Sequence, residues 1–388
     1  MRPCALWFAI LLAGCGSDPT SGSDTAGSVD SRSDGGLLDA APDLEPDAGS
    51  DAGAPDAGSD AGPCTPVPFA PTGKPAGWKH ATTPLLVVSQ GPANHRGRDA
   101  VVAAGQAAVL IGKFAYGPFD KDLKNEDVEV YMQLAPPCGA WKLLGTHETS
   151  EDGEHGTTYG ITDDGGRVFH PLPASQVPPP GRYPVRMLVR GDHSQAALTL
   201  FVLQPGAGAV VFDIDGTLTA DDFQLVAQLF NELLQGSYVP KVRPGGVDVV
   251  KAWAARGYLP VYLTGRPNQL RQISQSWLVQ QGFSPGAVQL TDETSQSMPG
   301  DATAQYKTDF LQKLSGSAKA ALYAAYGNAE SDIQAYENAQ IPKSRTFIIG
   351  SNAGKQGTVG LKDYTSHLAT AQAMPAATVP APPDTFGW

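Results

Sequence analysis

The sequence predicts an all-β sandwich over residues 65–205, followed by a doubly wound α/β domain with a mainly parallel sheet over residues 206–373. Three observations carry that architecture. In the first half, Val128, Val130, Met132 and Leu134 alternate with Glu129, Tyr131 and Gln133, and Tyr183, Val185, Met187 and Val189 alternate with Pro184, Arg186 and Leu188. Turn-forming stretches, Glu151-Asp152-Gly153 and Asp163-Asp164-Gly165-Gly166, lie between such runs. From Gly206 onward, short β-branched runs alternate with segments of helical period, as in a parallel sheet wound with helices.

The chain opens with Arg2, an apolar stretch over 5–12, and Leu12-Ala13-Gly14-Cys15. A transmembrane helix needs ~20 apolar residues, so this stretch has the layout of a secretory signal instead. Leu-Ala-Gly-Cys resembles a bacterial lipobox. That resemblance implies lipidation of Cys15 and an exported lipoprotein anchored to a membrane; Gly16 at the next position points to the outer membrane of a Gram-negative bacterium. Residues 16–64 are nearly all Asp, Ala, Gly, Ser and Pro, with Asp-Ala-Gly-Ser-Asp-Ala-Gly occurring twice. Such a composition cannot bury a core and reads as a disordered tether with a reach of roughly 35–40 Å. The tether holds most of the formal charge of −12. The folded part is therefore near balance, with no basic field for nucleic acid.

Cys64 and Cys138 are the cysteines left for the folded part, and in an exported chain they are expected to form one disulfide. The absence of cysteine beyond Cys138 excludes thiol catalysis from the second half. Short strands at the spacing seen in 65–205 predict an antiparallel, immunoglobulin-like sandwich. Six of the seven histidines fall there, among them His147, His155, His170 and His193, without paired metal-ligand spacing; packing or surface roles are expected.

In the α/β part a strand is expected over 209–212. Helices follow around 223–233, capped by Asp221 or Asp222, and around Val247, Val250 and Trp253. Then come a strand over 259–263, a helix over 270–278, a strand near Val288, a helix over 310–314, a strand over 320–326, a helix over 333–336 and a strand over 346–349. The Pro/Ala-rich tail, 374–388, is expected to be loosely ordered.

The chemistry concentrates at strand ends. The first strand runs into Asp213-Ile214-Asp215-Gly216-Thr217, two carboxylates one residue apart before a glycine turn. At the C-terminal edge of a parallel strand both acids enter one crevice. One can attack phosphorus while the other handles protons, and both favour a divalent cation. Thr264-Gly265-Arg266-Pro267 follows the next strand and offers a hydroxyl, an amide and a guanidinium to phosphoryl oxygens. Lys307, early in a helix, can offset the charge of nucleophile and phosphate. Asn328 and Asp332, after the strand over 320–326, supply oxygen ligands suited to Mg²⁺. Only His367 lies beyond residue 205, so acid/base work there falls to carboxylates.

The four motifs, in this order, resemble those of the haloacid dehalogenase (HAD) phosphotransferase superfamily. From Arg182 to about Tyr336 the chain is similar to the lipin/Ned/Smp homology region, above all the version at the end of RdgB/Nir-type phosphatidylinositol transfer proteins. The resemblance rests on Tyr183-Pro184-Val185-Arg186-Met187, Arg190-Gly191-Asp192-His193, the stretch from Lys241 to Val250 (Lys-Val-Arg-Pro-Gly-Gly-Val-Asp-Val-Val), and Tyr262-Leu263 with Thr264-Gly265-Arg266-Pro267. Lipins are Mg²⁺-dependent phosphatidate phosphatases, whereas the RdgB/Nir versions bind phosphatidic acid and lack the nucleophilic aspartate. This chain keeps Asp213, with the lipin-like spacing Gly327-Asn328 to Asp332. It departs from lipins at Thr264-Gly265-Arg266, where they have a serine-alanine-arginine type turn, and at Ala329, where they have arginine; head-group specificity is what these departures affect.

The resemblance implies a phosphomonoester hydrolase, most directly a phosphatidate-type lipid phosphatase. Asp213 would be the nucleophile and Asp215 the acid/base. Mg²⁺ would be held by Asp213, the Asp215 backbone carbonyl, Asn328 and Asp332; Thr264, Arg266 and Lys307 would stabilise the transferring group. Only 46 residues separate Thr217 from Thr264, and 42 separate Thr264 from Lys307, too few for a large cap domain. An open site suits a phosphate on a membrane lipid. Two other readings remain: a tethered phosphatidic-acid-binding module without turnover, and a functional sandwich, an adhesion or glycan-binding domain with the HAD unit vestigial.

Overall fold

The computed structural model describes residues 64–158, 160–220, 239–292 and 300–388. The alternating segments form β1 (Arg96–Arg98), β2 (Ala100–Ala103), β3 (Ala108–Lys113), β4 (Ala115–Tyr116), β5 (Lys121–Asp122), β6 (Asp127–Gln133), β7 (Trp141–Glu148), β8 (Asp152–Thr158), β9 (Ile161–Asp164), β10 (Arg167–Leu172), β11 (Gly181–Val189) and β12 (Gln195–Leu203). They assemble into sheets of order β1-β3-β10 and β2-β12-β11-β6-β7, with β4-β5 and β8-β9 as small side pairs. Alternate residues Val128, Val130 and Met132 of β6 and Val185, Met187 and Val189 of β11 are buried, and meet Leu110 and Val168 from the facing sheet. Leu134, read as part of the same stripe, lies beyond the end of β6 and is 41% exposed.

The sandwich is not purely antiparallel. β2 runs parallel to β12, with Ala100 opposite Leu200. The physical reason is a change of sheet. β1 pairs with β3 in the first sheet, and after the single residue Asp99 the chain continues as β2 in the second. Its direction is already set when it arrives beside β12.

The α/β part comprises β13 (Gly208–Phe212), α1 (Gly246–Ala255), β14 (Leu259–Pro267), α2 (Arg271–Gln280), β15 (Ala287–Thr291), α3 (Asp301–Gly316), β16 (Ala321–Gly327), α4 (Glu330–Asn338), β17 (Thr346–Ile349), β18 (Val359–Leu361) and α5 (Tyr364–Ala373). The expected helix around 223–233 lies outside the described residues. The sheet order is β15-β14-β13-β16-β17-β18, and every neighbouring pair is parallel. Both faces of the sheet are covered, which is why its strands read as continuous apolar runs. Phe212, Tyr262 and Tyr326 pack toward Trp253 of α1, Leu278 of α2 and Tyr364 of α5. Val211, Leu263 and Ala325 pack toward Leu311 of α3 and Tyr336 of α4.

Two elements escaped the sequence reading. β18 is three residues long, and α5, Tyr-Thr-Ser-His-Leu-Ala-Thr-Ala-Gln-Ala, lacks a broad apolar stripe. Its start was nonetheless marked: the Asp363 side chain accepts from the Ser366 amide at 2.7 Å, an N-cap. The tail is a correction. Residues 374–388 are docked rather than loose, because their backbone has partners at the bottom of the sheet. Ala377 N donates to Arg256 O, Gly208 N to Val379 O and Ala381 N to Gly257 O. The Trp388 indole N–H donates to Phe283 O at 3.0 Å, with its ring against Tyr262.

A shared apolar cluster joins sandwich and α/β part: Phe201 and Leu203 of β12 pack with Ala209, Leu259 and Val261. Buried polar contacts fix the angle. Asp99 accepts from Val288 N at 2.9 Å and Arg271 Nη2 at 2.7 Å, while Gln289 Nε2 donates to Asp99 O at 2.7 Å. Cys64 and Cys138 are joined by a disulfide with 5.9 Å between their Cα atoms.

His95 gives the sandwich a pH dependence. Its ring is 1% exposed; Nδ1 accepts from Ala115 N at 3.2 Å and Nε2 faces Ser194 Oγ at 2.8 Å. Burial drives its pKa down to about 4. Its folded-state pKa lies below the unfolded value, so the unfolded chain binds more protons and stability falls as pH drops from about 6.5 toward 4. The folded sandwich should lose roughly 3 kcal/mol through His95 across that window. Denaturant midpoints at pH 7 and pH 4.5 should differ accordingly, and His95→Gln should reduce the difference, leaving the share of His170, whose pKa burial also lowers to about 4; an unchanged difference in the variant refutes the assignment.

Candidate functional site

The strand order reverses at β13. β14 and β15 lie to one side and β16, β17 and β18 to the other, so the crossovers diverge and leave a crevice at the strands' C-terminal ends. Asp213 follows β13 directly, and its amide donates to Tyr326 O of β16 at 3.0 Å. The next five residues form one irregular turn. Gly216 adopts a φ of +71°, a conformation that L side chains rarely take, and its amide donates to Thr219 Oγ1 at 2.9 Å. Arg243 closes the turn from outside, donating Nε and Nη2 to Gly216 O at 3.0 and 2.8 Å.

This turn separates the two carboxylates into different networks. Asp213 Oδ1 accepts from Lys307 Nζ at 2.7 Å, and its Oδ2 faces Thr217 Oγ1 at 3.0 Å. The Lys307 ammonium also donates to Asp332 Oδ1 at 2.6 Å. Asp332 Oδ2 in turn accepts from the amides of Asn328 and Ala329, each at 3.0 Å, reaching back over the start of α4. Gly327 makes room for this fold-back: a Cβ there would sit 2.6 Å from the Asp332 Cβ. Asn328 Oδ1 lies 3.1 Å from Thr217 Oγ1.

Asp215 faces the other way. Arg266 Nη2 donates to its Oδ1 at 2.7 Å, Arg266 Nε lies 3.0 Å from both its oxygens, and Thr264 Oγ1 donates to its Oδ2 at 2.9 Å. Arg266 Nη1 contacts Ser274 Oγ of α2 at 3.0 Å. The structure thus brings Asp213, Lys307, Asn328 and Asp332 into one cluster. Thr264 and Arg266 are gathered on Asp215 rather than on the Lys307 side.

All these side chains are largely buried, with Asp213 2% and Lys307 1% exposed. Burial pushes the Asp213 carboxyl up to about 7, Lys307 opposes the rise, and Asp332 and Asp215 add to it. Burial alone would lower the Lys307 pKa, yet Asp213 and Asp332 hold it above the ordinary lysine value. One ammonium between two buried carboxylates leaves an excess negative charge, which retains a proton into the neutral range or is offset by a cation.

The residues fit a small hard cation that keeps part of its water. Asp213 Oδ2 and Asn328 Oδ1 meet across the Thr217 hydroxyl, both hard oxygen donors. Asp332 is engaged on both oxygens and would support this pair from behind. Among the described residues no group of three or more His, Cys, Asp or Glu side chains forms a closed metal cage. Mg²⁺ is typically held by one or two carboxylates plus substrate phosphate and water. Above the cluster opens a cavity of about 480 Å³, lined by Gly216, Arg243, Asn328, Ser331, Gln334 and Asn352 among others.

Two family models match this chain. Residues 93–202 match the beta-sandwich domain of PITM 1-3, and residues 210–350 match the LNS2 domain of PITM 1-3. The chain carries a sandwich and an RdgB/Nir-like LNS2 domain. Among curated relatives, rat membrane-associated phosphatidylinositol transfer protein 1 is 34% identical over 81% of this chain and 23% of its own length. Drosophila protein retinal degeneration B is 35% identical over 73% of this chain and 20% of its own. Human membrane-associated phosphatidylinositol transfer protein 3 is 35% identical over 72% and 26%. The chain spans about a quarter of the length of these relatives.

Around the site, sequence reasoning overlooked three contributors: Thr217, which bridges the Asp213 and Asn328 oxygens; Arg243, which holds the turn; and Asn352, just beyond the matched LNS2 residues, whose Nδ2 donates to Asn328 O at 2.7 Å. Thr217 and Arg243 lie inside the motifs that carried the resemblance and were legible there. Asn352, between β17 and β18, had no local signal.

Removing the ammonium should expose the charge balance of the LNS2 site. Lys307→Met leaves two buried carboxylates unpaired, and breaking such a pair costs about 3–5 kcal/mol. Chemical denaturation should show this loss at pH 8, with part of it recovered in Lys307→Met/Asp332→Asn. A single variant as stable as the parent would contradict the ion-pair network.

Proposed function

We propose that the LNS2 domain is a Mg²⁺-dependent phosphomonoester hydrolase of the HAD type, acting on a phosphatidate-class lipid. The observation that carries this reading is the Asp213 carboxylate at the switch-point crevice, aligned by Lys307 and Thr217. An Asp213 oxygen would bond to phosphorus as the ester P–O bond breaks, and the leaving alkoxide would take a proton from Asp215. Water would then attack the aspartyl-phosphate, giving a proton to Asp215 and releasing phosphate with Asp213 restored. A bound Mg²⁺ would shield the phosphoryl charge. In this scheme an incoming phosphate competes with Asp215 for Thr264 and Arg266, so binding frees Asp215 for proton transfer and places both donors on the transferring group.

A second reading is a phosphatidic-acid-binding module without turnover. The Arg266 contacts to both oxygens of Asp215 favour it, because this clamp must open before Asp215 can act. The relatives' names, as membrane-associated lipid transfer proteins, support a lipid ligand under either reading. We also propose that the protein is an exported lipoprotein anchored through Cys15 in an outer membrane; the Cys64–Cys138 disulfide supports an oxidising compartment.

Phosphate release and liposome binding, measured together, separate these readings. Asp213→Asn should lose turnover by roughly three orders of magnitude or more while still binding phosphatidate liposomes. Chelation should silence the wild type, and Mg²⁺ should restore it. If the wild type with Mg²⁺ releases no phosphate from any phosphomonoester lipid yet binds it, the binding module replaces the enzyme. For the anchor, Cys15→Ser should shift the protein from the membrane to the soluble fraction; unprocessed wild type in the cytosol would rule the anchor out.

A further inference from the structure

Two apolar tips adjoin on the sandwich. Thr83–Leu86 forms a single helical turn with Pro84 in its first positions, and the β4–β5 hairpin turns over through Gly117, Pro118, Phe119 and Asp120. A Cβ on Gly117 would lie 2.3 Å from Gln90 O, and one on Gly91 3.4 Å from Pro118 Cδ, so the two segments touch. Val87 and Val88 pack against the sandwich core. Leu85 and Leu86, just ahead of them, stay outside at 74% and 61% exposed, and Phe119 is 90% exposed. Phe119 and Leu85 are the most exposed large apolar side chains among the described residues.

Polar contacts pin both tips. The buried Glu126 carboxylate accepts from Lys79 N at 2.8 Å, His80 N at 3.1 Å and Thr83 Oγ1 at 2.6 Å, fixing the chain where it enters the helical turn. Asp120, at a φ of +54°, accepts from Arg96 Nη1 at 2.7 Å and Asn94 Nδ2 at 3.2 Å, and Gly117 supplies a second left-handed residue at +72°. The backbone is thus held in a conformation that leaves Leu85, Leu86 and Phe119 in water, a cost that an apolar partner removes.

Size and charge decide which partner. Three such side chains offer on the order of a few hundred Å², whereas a stable protein interface buries about 800 Å² per partner. A bilayer boundary needs no complementary surface and accepts protruding apolar side chains. Lys121, two residues after Phe119, is exposed and has no carboxylate partner among the described residues. The acids on either side of it are engaged, Asp120 with Arg96 and Asp122 with Lys113. The uncompensated charge beside Phe119 is therefore positive, which matches an anionic membrane face.

We propose that the two tips insert into a bilayer carrying anionic lipid, with Leu85, Leu86 and Phe119 in the acyl boundary and Lys121 among the head groups. The assignment is independent of Asp213 and of turnover. The test uses the full chain with Cys15→Ser as parent, so that no covalent lipid contributes. Its vesicles are mixed phosphatidylcholine and phosphatidylglycerol, phosphodiesters that offer no phosphomonoester to the Asp213 site. Phe119→Trp should add quenching by nitroxide-labelled lipid over that of the six native tryptophans, whereas Val279→Trp, exposed on α2, should add none. Phe119→Ser should weaken partitioning about tenfold, and Leu85→Ser with Leu86→Ser by at least as much. Lys121→Glu should weaken it about tenfold on the mixed vesicles and leave pure phosphatidylcholine unaffected. All four positions are exposed, so thermal unfolding should match the parent; if a serine variant fails to fold, the tryptophan quenching carries the test. No added quenching in Phe119→Trp, or unchanged partitioning by the folded variants, overturns the proposal. So does loss of a sedimenting dimer in Phe119→Ser with partitioning unchanged, which assigns the tips to a second copy of the chain.

Discussion

Lys307 holds its positive charge between the carboxylates of Asp213 and Asp332, at 2.7 and 2.6 Å, and through them ties α3 to the end of β13 and the first turn of α4. Asp332 cannot keep its place without Gly327 beneath it and the two amides at the start of α4. Asp213 cannot keep its orientation without Thr217, which the Gly216 turn brings back toward Asn328. The pairing of buried opposite charges is thus the constraint to which strand ends, turn and helix start are all fitted. Asp213, Asp215, Arg266, Lys307 and Asp332 are each opposed by another charged group of the site within hydrogen-bond distance.

The second pair, Asp215 with Arg266, obeys the same electrostatics with a different consequence. Thr264 and Arg266 come from the end of β14, the strand on the other side of β13, so the turn after β13 lies between two sets of partners. Ligand phosphate would enter a site whose donors are already engaged. Under the proposed function, occupancy there would be an exchange of partners rather than the filling of an empty cradle.

The parts of this arrangement that were legible in the sequence share one property: their signal is local. Ala209-Val210-Val211-Phe212 before Asp213, and Leu259 to Leu263 before Thr264, are apolar runs whose ends can be seen, so the acids and hydroxyls that follow them could be assigned to the sheet edge. Asn328 and Asp332 follow Gly327 for the same reason. What escaped depends on distant or weak signals. The clamp of Arg266 on Asp215 spans 51 positions, and the parallel pairing of β2 with β12 depends on a change of sheet at Asp99. β18 and α5 were missed for shortness and for lack of an apolar stripe. The tail misled because its proline and alanine content suits a loose chain, whereas its order comes from backbone hydrogen bonds to Gly208, Arg256 and Gly257.

The bridge between Cys64 and Cys138 has a mechanical meaning. It closes a covalent loop spanning 74 positions, which contains β1 through β6. A pull applied to the chain ahead of Cys64 would pass through sulfur to the connection between β6 and β7, not along the residues in between. The residues between the two cysteines are thereby shielded from extension while the bridge is intact.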